Sequence, residues 1–390
     1  MQKAQWDFPV ALFLCFVGLS FPCTNRVPPN DPNDYLCRMA ISPLDEKYMA
    51  RALELAQLGM GQVSPNPMVG CVITYKGRII GEGWHRKFGG PHAEVEAIRS
   101  VKETHLLPQS TVYVTLEPCA HHGKTPPCAD LLVEKKVKRV VMALQDPNPK
   151  VNGGGKARLE AAGITVDVGV MEEEARAQNR RFLTNMVQQR PYVILKWAQT
   201  ADGFLARANG DSKWISHALS RQQVHRWRTE EDAILVGPNT VRLDNPALTV
   251  RDWTGEHPLR VVLDRKASLN PEDFQVFDGT VPTRWYTQAD APAPKGVTQV
   301  TITEAGFIAA VLNDLHAQGI GSVFVEGGAA ILDAFMTADL WDEARIFGAP
   351  VTFGDGFAAP HPVGVTVEEL SILDNTLTRI ENKHTPWRKS

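Results

Sequence analysis

Two segments carry residue types at a spacing that suits hydrolytic deamination. Pro91-His92-Ala93-Glu94 sets an imidazole two residues from a carboxylate; Glu117-Pro118-Cys119 follows, and Cys128 comes after a gap of eight residues. One imidazole and two thiolates are a donor set for zinc, and three protein ligands leave the fourth position open for water. Zinc lowers the pKa of such a water toward about 7. Glu94 is then placed as the general acid/base that takes the water proton and passes it to departing ammonia. Zinc-dependent base deaminases share an H-x-E element followed by P-C-x-x-C; here the cysteines stand further apart. H-x-E alone arises by chance, whereas H-x-E, E-P-C and a second cysteine at a helix start together form a specific pattern. A closed structural site completed by His121 or His122, or buried thiols without metal, are the alternatives. The stretch between the cysteines, Ala120–Pro127, is basic and rich in donors, which suits a substrate or phosphate contact as well as a plain surface loop.

The second half offers a weaker signal. No G-x-G-x-x-G follows its first strand, so a Rossmann site is not supported. Val323–Leu332 (VFVEGGAAIL) reads as a strand, two glycines and a helix. Glycines let a backbone approach a pyrophosphate, and a helix N-terminus favours its charge.

The elements needed to position these groups are legible in the pattern. Ser42-Pro43 opens a helix whose apolar face is Met49, Ala52, Leu53 and Ala56. Val69–Tyr75 and Arg78–Trp84 read as strands of a hairpin turned at Lys76-Gly77. A helix over His92–Val101, a strand over Thr111–Leu116, a helix over Cys128–Lys136, a strand over Arg139–Leu144, a helix over Lys156–Ala162 and a strand over Ile164–Val168 follow. A polar helical segment, Glu172–Arg190, leads to Arg190-Pro191, where the domain boundary is placed. Beyond it the pattern restarts: strand Tyr192–Ala198, helix Ser216–Arg228, strands Ala233–Val236 and Arg260–Leu263, helix Ala305–Gln318, strand Ser322–Glu326 and a helix toward Met336. Alternating strands and helices imply α/β sheets with helices packed on them.

Composition is consistent with this. A chain of 390 residues exceeds the size of a single core. A formal net charge of −3 is not the footprint of a nucleic-acid binder, so no nucleic-acid partner is expected. Six cysteines in so long a chain are no disulfide framework, and Cys71 reads as a buried strand thiol. Phe8–Phe21 is an apolar run of 14 residues, short of a membrane span, so no membrane association is expected. A Pro/Asn/Asp-rich linker follows it. Residues 1–41 are expected to be an N-terminal extension, with Met39 the start of the functional protein; an export signal or a native tail are the alternatives.

SPNPMVGCVI (Ser64–Ile73), GGPHAEVEAI (Gly89–Ile98), EPCAHHGKTPPCADLL (Glu117–Leu132) and DPNPKVNGGG (Asp146–Gly155) resemble the deaminase half of the bifunctional riboflavin-biosynthesis deaminase/reductase family. LKWAQTADGFLA (Leu195–Ala206), GDSKWIS (Gly210–Ser216), Arg228–Arg251 and FVEGGAAI (Phe324–Ile331) resemble its reductase half. The resemblance implies a cytidine-deaminase-like α/β/α layered domain, residues 42–189, and a dihydrofolate-reductase-like α/β domain, residues 190–386. It implies one Zn2+ on His92, Cys119 and Cys128, with Glu94 as proton shuttle. Asn66, His85, His121 and Lys124 match the family's substrate contacts in the first half. Ser212, Arg228, Leu248, Arg251 and Glu326 match those in the second, where Arg228 and Arg251 suit a phosphate as bidentate donors. Ala198, Trp214, Thr240, Asp244, Gly328, Ala329, Ala330, Ile331, Leu332, Asp333 and Ala334 match its NADPH contacts. The implied substrate is a small phosphorylated pyrimidine, 2,5-diamino-6-ribosylamino-4(3H)-pyrimidinone 5′-phosphate, deaminated and then reduced at its ribosyl group. A cytoplasmic enzyme is expected, and a homo-oligomer is left open. Glu96 departs from the family pattern and is expected to point off the metal.

Overall fold

The computed structural model describes residues 42–120, 126–148, 152–212 and 215–388. The N-terminal extension, His121, Lys124 and Trp214 thus lie outside the described residues. From Pro43 onward the chain forms one compact unit built on two main sheets.

The first sheet has five strands: β1 (Gly70–Tyr75), β2 (Arg78–Trp84), β3 (Thr111–Val114), β4 (Arg139–Met142) and β5 (Thr165–Val168), in the order β2-β1-β3-β4-β5. The β1–β2 hairpin closes with Tyr75 opposite Arg78, and Lys76 and Gly77 both take positive φ. A two-residue turn of that hand matches the right-handed twist of its strands. β3, β4 and β5 run parallel. Helices α1 (Pro43–Gln57), α2 (Ala93–Ser100), α3 (Cys128–Glu134) and α4 (Gly154–Ala161) accompany the sheet. Cys71, Ile73, Val112, Val114, Val140 and Met142 interleave with Ala93, Ala97, Ala129, Leu132 and Leu159 to form its core. Cys71 is fully buried, as its apolar surroundings in the sequence imply.

Helices α5 (Glu172–Gln178) and α6 (Arg180–Gln188) then lead to the second sheet. Its strands are β6 (Tyr192–Thr200), β8 (Ala233–Val236), β9 (Leu259–Leu263), β10 (Thr283–Thr287), β11 (Val297–Thr301), β12 (Ser322–Val325), β13 (Glu343–Ala349), β15 (Gly364–Ile372) and β16 (Asn375–Asn382). The order is β11-β10-β9-β8-β12-β6-β13-β16-β15. The first seven positions are parallel, and the β15–β16 hairpin adds antiparallel to β13. β7 (Phe204–Ala206) pairs separately with β14 (Phe357–Ala358). Helices α7 (Ala218–Glu230), α8 (Pro238–Asp244), α9 (Phe307–Ala317) and α10 (Ala329–Thr337) connect the strands. The central strands β8 and β12 are buried on both faces, which is why they read as unbroken apolar runs rather than alternating ones.

Two consequences bear on function. In an open parallel sheet, ligands bind outside the carboxyl ends of the strands; those of β6, β8, β9 and β12 open here onto one large cleft. Among the described residues no helix is long and apolar enough to cross a membrane.

Candidate functional site

The first site forms where α2, the turn after β3 and α3 meet. His92 caps α2 with an extended backbone, so its ring leaves the helix start while Glu94 falls in the first turn. His92 Nδ1 lies 3.5 Å from Cys119 Sγ and 3.3 Å from Cys128 Sγ. The three ligand atoms lie within 4.8 Å of one another, and no other described group of His, Cys, Asp or Glu does the same with three members. In a tetrahedral site with usual Zn–N and Zn–S bond lengths, nitrogen and sulfur stand roughly 3.6 Å apart. Donor types and spacing therefore both fit zinc, with Nδ1 as the ligating nitrogen.

The electrostatics agree. The backbone N–H of Cys128, the first of α3, donates to Cys119 Sγ at 3.3 Å. The Cys128 side chain first, then His92 and that backbone bond, outweigh burial and hold the Cys119 thiol down to about 4. Its neighbour Cys128 is pushed up, first by the Cys119 thiol and then by burial. Two adjacent thiols share negative charge poorly until a cation neutralises both. Glu94 is buried, at 3% exposure, and burial followed by the charge of Cys119 pushes its carboxyl up to about 7. A general acid/base works best with a pKa near the operating pH.

Glu117 braces this centre from behind. Its carboxylate accepts from the backbone N–H groups of Asp146, Gly153 and Lys156, fastening the start of α4 to the turn that carries Cys119. Gly155 is seated so closely that a Cβ there would stand 2.0 Å from the Pro118 carbonyl. Glu117 was not singled out in the sequence as a site residue, although it stands in the E-P-C motif.

Asn66 and His85 come together beside the metal ligands. Asn66 Nδ2 lies 3.2 Å from His85 Nε2, and His85 Nδ1 lies 2.9 Å from the Pro91 carbonyl. The carbonyl can only accept, so Nδ1 carries the proton and Nε2 accepts from Asn66. The rings of His85 and His92 meet edge to face at 5.6 Å, and burial pushes the His85 pKa down. Glu96 pairs with Arg86 and Arg99, each at 3.2 Å, on the rim of α2 as expected.

The second site is a cleft of about 1730 Å3, larger than the roughly 300–1,000 Å3 that one small ligand usually occupies. Ala198, Ser212, Arg228, Thr240, Asp244, Leu248, Glu326, Gly328, Ala329, Ala330, Ile331, Asp333 and Ala334 all line it. Two expected residues do not. Leu332 is fully buried in the core beneath α10, since one side of an amphipathic helix must face inward. Arg251 is exposed and is absent from the lining.

Two further readings are corrected by the geometry. Arg228 does not hold its fork free for a phosphate. It is bidentate to Glu326 at 2.7 and 3.1 Å, with a third bond to the Thr249 carbonyl. Lys196 Nζ stands 3.7 Å from the same carboxylate. Burial alone would raise the Glu326 pKa, but Arg228 and then Lys196 outweigh it and hold the group at about 2. Lys196 itself is pushed down by burial. The sequence reading missed Lys196; its signal was a lone cation inside an otherwise apolar strand. The second correction concerns Gly327, where a Cβ would stand 2.9 Å from Ile331; at Gly237, which the sequence reading did not single out, a Cβ would stand 2.5 Å from the same side chain. Their bareness seats Ile331. At Gly328 a Cβ would meet only Thr240 Oγ1, at 3.6 Å. Gly328, which has no side chain, caps α10; Ile331 N donates to its carbonyl, and Ala329 and Ala330, at the N-terminus of the helix, line the cleft, where helix N–H groups suit an anionic ligand. Space, helix N–H groups and bare backbone together fit a dinucleotide.

A His/Cys/Cys centre with a buried glutamate, joined to a parallel-sheet cleft of the dihydrofolate-reductase type, defines a zinc deaminase fused to a reductase. Residues 42–144 match the cytidine and deoxycytidylate deaminase zinc-binding region, and residues 191–385 match the RibD C-terminal domain. The chain belongs to the RibD family and is an enzyme with two activities, a zinc-dependent deaminase and an NADPH-dependent reductase. It is 43% identical over 326 residues to the riboflavin biosynthesis protein RibD of Aquifex aeolicus, covering 82% of this chain and 90% of that one. To the Escherichia coli protein of the same name it is 42% identical over 330 residues, with 80% and 89% covered. Among solved structures, a diaminohydroxyphosphoribosylaminopyrimidine deaminase/5-amino-6-(5-phosphoribosylamino)uracil reductase from Thermotoga maritima superposes with a TM-score of 0.81 at 39% identity, covering 87% of this chain and 99% of that one. Acinetobacter baumannii RibD gives 0.77 at 36% identity, covering 87% and 98%.

Proposed function

We propose that the enzyme deaminates 2,5-diamino-6-ribosylamino-4(3H)-pyrimidinone 5′-phosphate and then reduces the ribosyl group of the product to ribityl. The observation that carries this reading is the presence, on one chain, of a zinc-type triad beside a buried glutamate and of a cleft with room for both a dinucleotide and a sugar phosphate.

In the first reaction His92, Cys119 and Cys128 would hold the zinc, which when bound would supply Lewis-acid activation of water at neutral pH. Glu94 takes a proton from the attacking water and delivers it to the departing amino nitrogen. Asn66, fixed by its bond to His85, orients the pyrimidine, and His121 and Lys124 are assigned as further substrate contacts. For the second reaction the cleft residues would hold NADPH, which when bound would supply the hydride for reducing the ribosyl group. The N–H groups after Gly328 receive the anionic part of the cofactor, with Thr240 and Asp244 beside them and Trp214 assigned to the same ligand. The Lys196–Glu326–Arg228 cluster forms the polar floor on which the sugar and pyrimidine are oriented, with Ser212 and Leu248 alongside.

The test is to supply the ribosylaminopyrimidinone phosphate to purified protein, with and without NADPH, and to identify products by mass. Exchange of an amino group for oxygen without NADPH, and two further hydrogens with it, supports the proposal. An unchanged substrate in both arms, from protein carrying zinc, overturns it.

A further inference from the structure

We propose that Asp232, at the head of β8 in the reductase half, is a positioning residue for deamination. It acts through Ser64 on the loop that presents Asn66 beside the metal centre. The inference rests on the reading above that Asn66 contacts the pyrimidine.

The loop between α1 and β1, residues 58–69, carries Asn66 and is held from three sides. On the deaminase side, Phe88 N donates to the Gln62 carbonyl and His85 N to the Val69 carbonyl, which keeps the loop beside the segment bearing His85 and His92. From the connecting helices, Asn179 clasps Met68 twice, accepting from its N–H at 2.8 Å and donating to its carbonyl at 3.0 Å. The third side is the reductase half. Ser64 Oγ donates to Asp232 Oδ2 at 2.5 Å, and the same oxygen accepts from the backbone N–H groups of Gly321 at 2.6 Å and Ser322 at 3.2 Å. Asp232 is therefore fixed by β12 before it reaches Ser64. Gly321, which joins them, has no spare room: a Cβ there would stand 2.8 Å from Ser64 Oγ and 3.0 Å from Asp232 Oδ2.

A second contact, independent of this bond, points the same way. Gly61, in the same loop, has φ near +72°, and a Cβ on it would stand 2.3 Å from the carbonyl of Thr229. The loop backbone thus lies directly on the end of α7, the helix that carries Arg228 to the floor of the reductase cleft. The mechanism has no chemical use for Ser64, Asp232 or Gly61, yet they fix the loop at two points, Ser64 two residues before Asn66 and Gly61 five before it. A loop so short between its anchor and its functional side chain transmits displacement of the anchor directly to Asn66, and small misplacement of an orienting group is costly to binding.

The experiment uses the full-length zinc-loaded enzyme and the ribosylaminopyrimidinone phosphate. Ser64→Ala leaves the backbone bonds of Asp232 intact and removes only the link. It is expected to raise the KM for deamination roughly tenfold, the size of effect typical of losing a hydrogen bond to a charged group, with kcat, zinc content, melting temperature and NADPH-dependent reduction of pre-deaminated substrate little changed. Asp232→Asn keeps an acceptor oxygen and is expected to show a smaller rise. Because the link acts through Asn66, Ser64→Ala should add little in an Asn66→Ala background. A wild-type KM in folded Ser64→Ala, alongside a raised KM in Asn66→Ala, overturns the latch and leaves the substrate reading standing. A normal KM in Asn66→Ala overturns the substrate reading and the latch with it. Full additivity of the two changes also overturns it, since the loop would then be held for reasons unrelated to Asn66.

Discussion

At the scale of single residues the deaminase centre is a problem of charge. Two thiols and an imidazole share a small volume near the buried carboxylate of Glu94, an arrangement a cation would stabilise. Purified protein is expected to carry about one zinc per chain by elemental analysis, three protein donors and an open position being the pattern of a catalytic site. Cys128→Ala should lose both the metal and deamination; full activity in metal-free protein would refute the assignment. Glu94→Gln should keep the metal and lose deamination by about 10²–10⁴-fold, the usual weight of general acid–base catalysis, and near-normal turnover would remove Glu94 from the mechanism. In the cleft, Glu326 is held at about 2 against an ordinary value of 4.5. A carboxylate depressed in the folded state stabilises the fold above its unfolded pKa, and that contribution is lost as pH falls through the folded value. The stability difference between wild type and Glu326→Gln, measured by denaturant titration, should therefore be largest above about pH 4.5 and shrink toward pH 2. A difference that is flat with pH would mean Glu326 is not held by Arg228 and Lys196.

At the scale of elements, the sites depend on how closely backbone segments approach. Gly155 sits on the Pro118 carbonyl, so Gly155→Ala should push α4 away from the turn bearing Cys119. Reduced zinc content, with reduction of pre-deaminated substrate retained, is the expected readout; undiminished zinc would show that the turn is held by Glu117 alone. This scale also marks how far the sequence could be read. The H-x-E and Cys128 positions were legible because both sit at helix starts fixed by local signals, while E-P-C, in the turn beyond β3, was legible only as part of the combined motif. Strands β8 and β12 were legible as short apolar runs. β10, β11, β13 and the β15–β16 hairpin were not placed. β11 and β15 bury little on either face and so leave no clean period. The seven-residue α8, which brings Thr240 and Asp244 to the cleft, is too short to show one. The Arg228–Glu326 pair was invisible for another reason: its members are 98 residues apart, and only the sheet order brings α7 beside the end of β12. Read singly, each looked like a group awaiting ligand.

At the scale of the molecule, the two chemistries use separate residues on one body. The deaminase groups lie before α5, and the cleft groups lie after α6. The segment between is bound firmly to the second half: Arg181 pairs with the buried Glu231 at the end of α7, and Arg180 lies 3.4 Å from Glu343 of β13, which also accepts from Arg345, Arg379 and Tyr192. Removing one partner of a buried pair leaves an uncompensated charge. Arg228→Ala should therefore destabilise the fold by about 3–5 kcal/mol and weaken reduction, while protein that remains folded still deaminates. The most direct test of the whole account follows the mass of the substrate through wild type and Glu94→Gln, each with and without NADPH. Wild type should exchange amino for oxygen in either case and add two hydrogens only with NADPH. Glu94→Gln should leave the ribosylaminopyrimidinone unchanged yet still add two hydrogens to substrate already deaminated. Glu94→Gln protein that binds zinc and remains folded but cannot reduce pre-deaminated substrate would contradict the division of labour between the two sites.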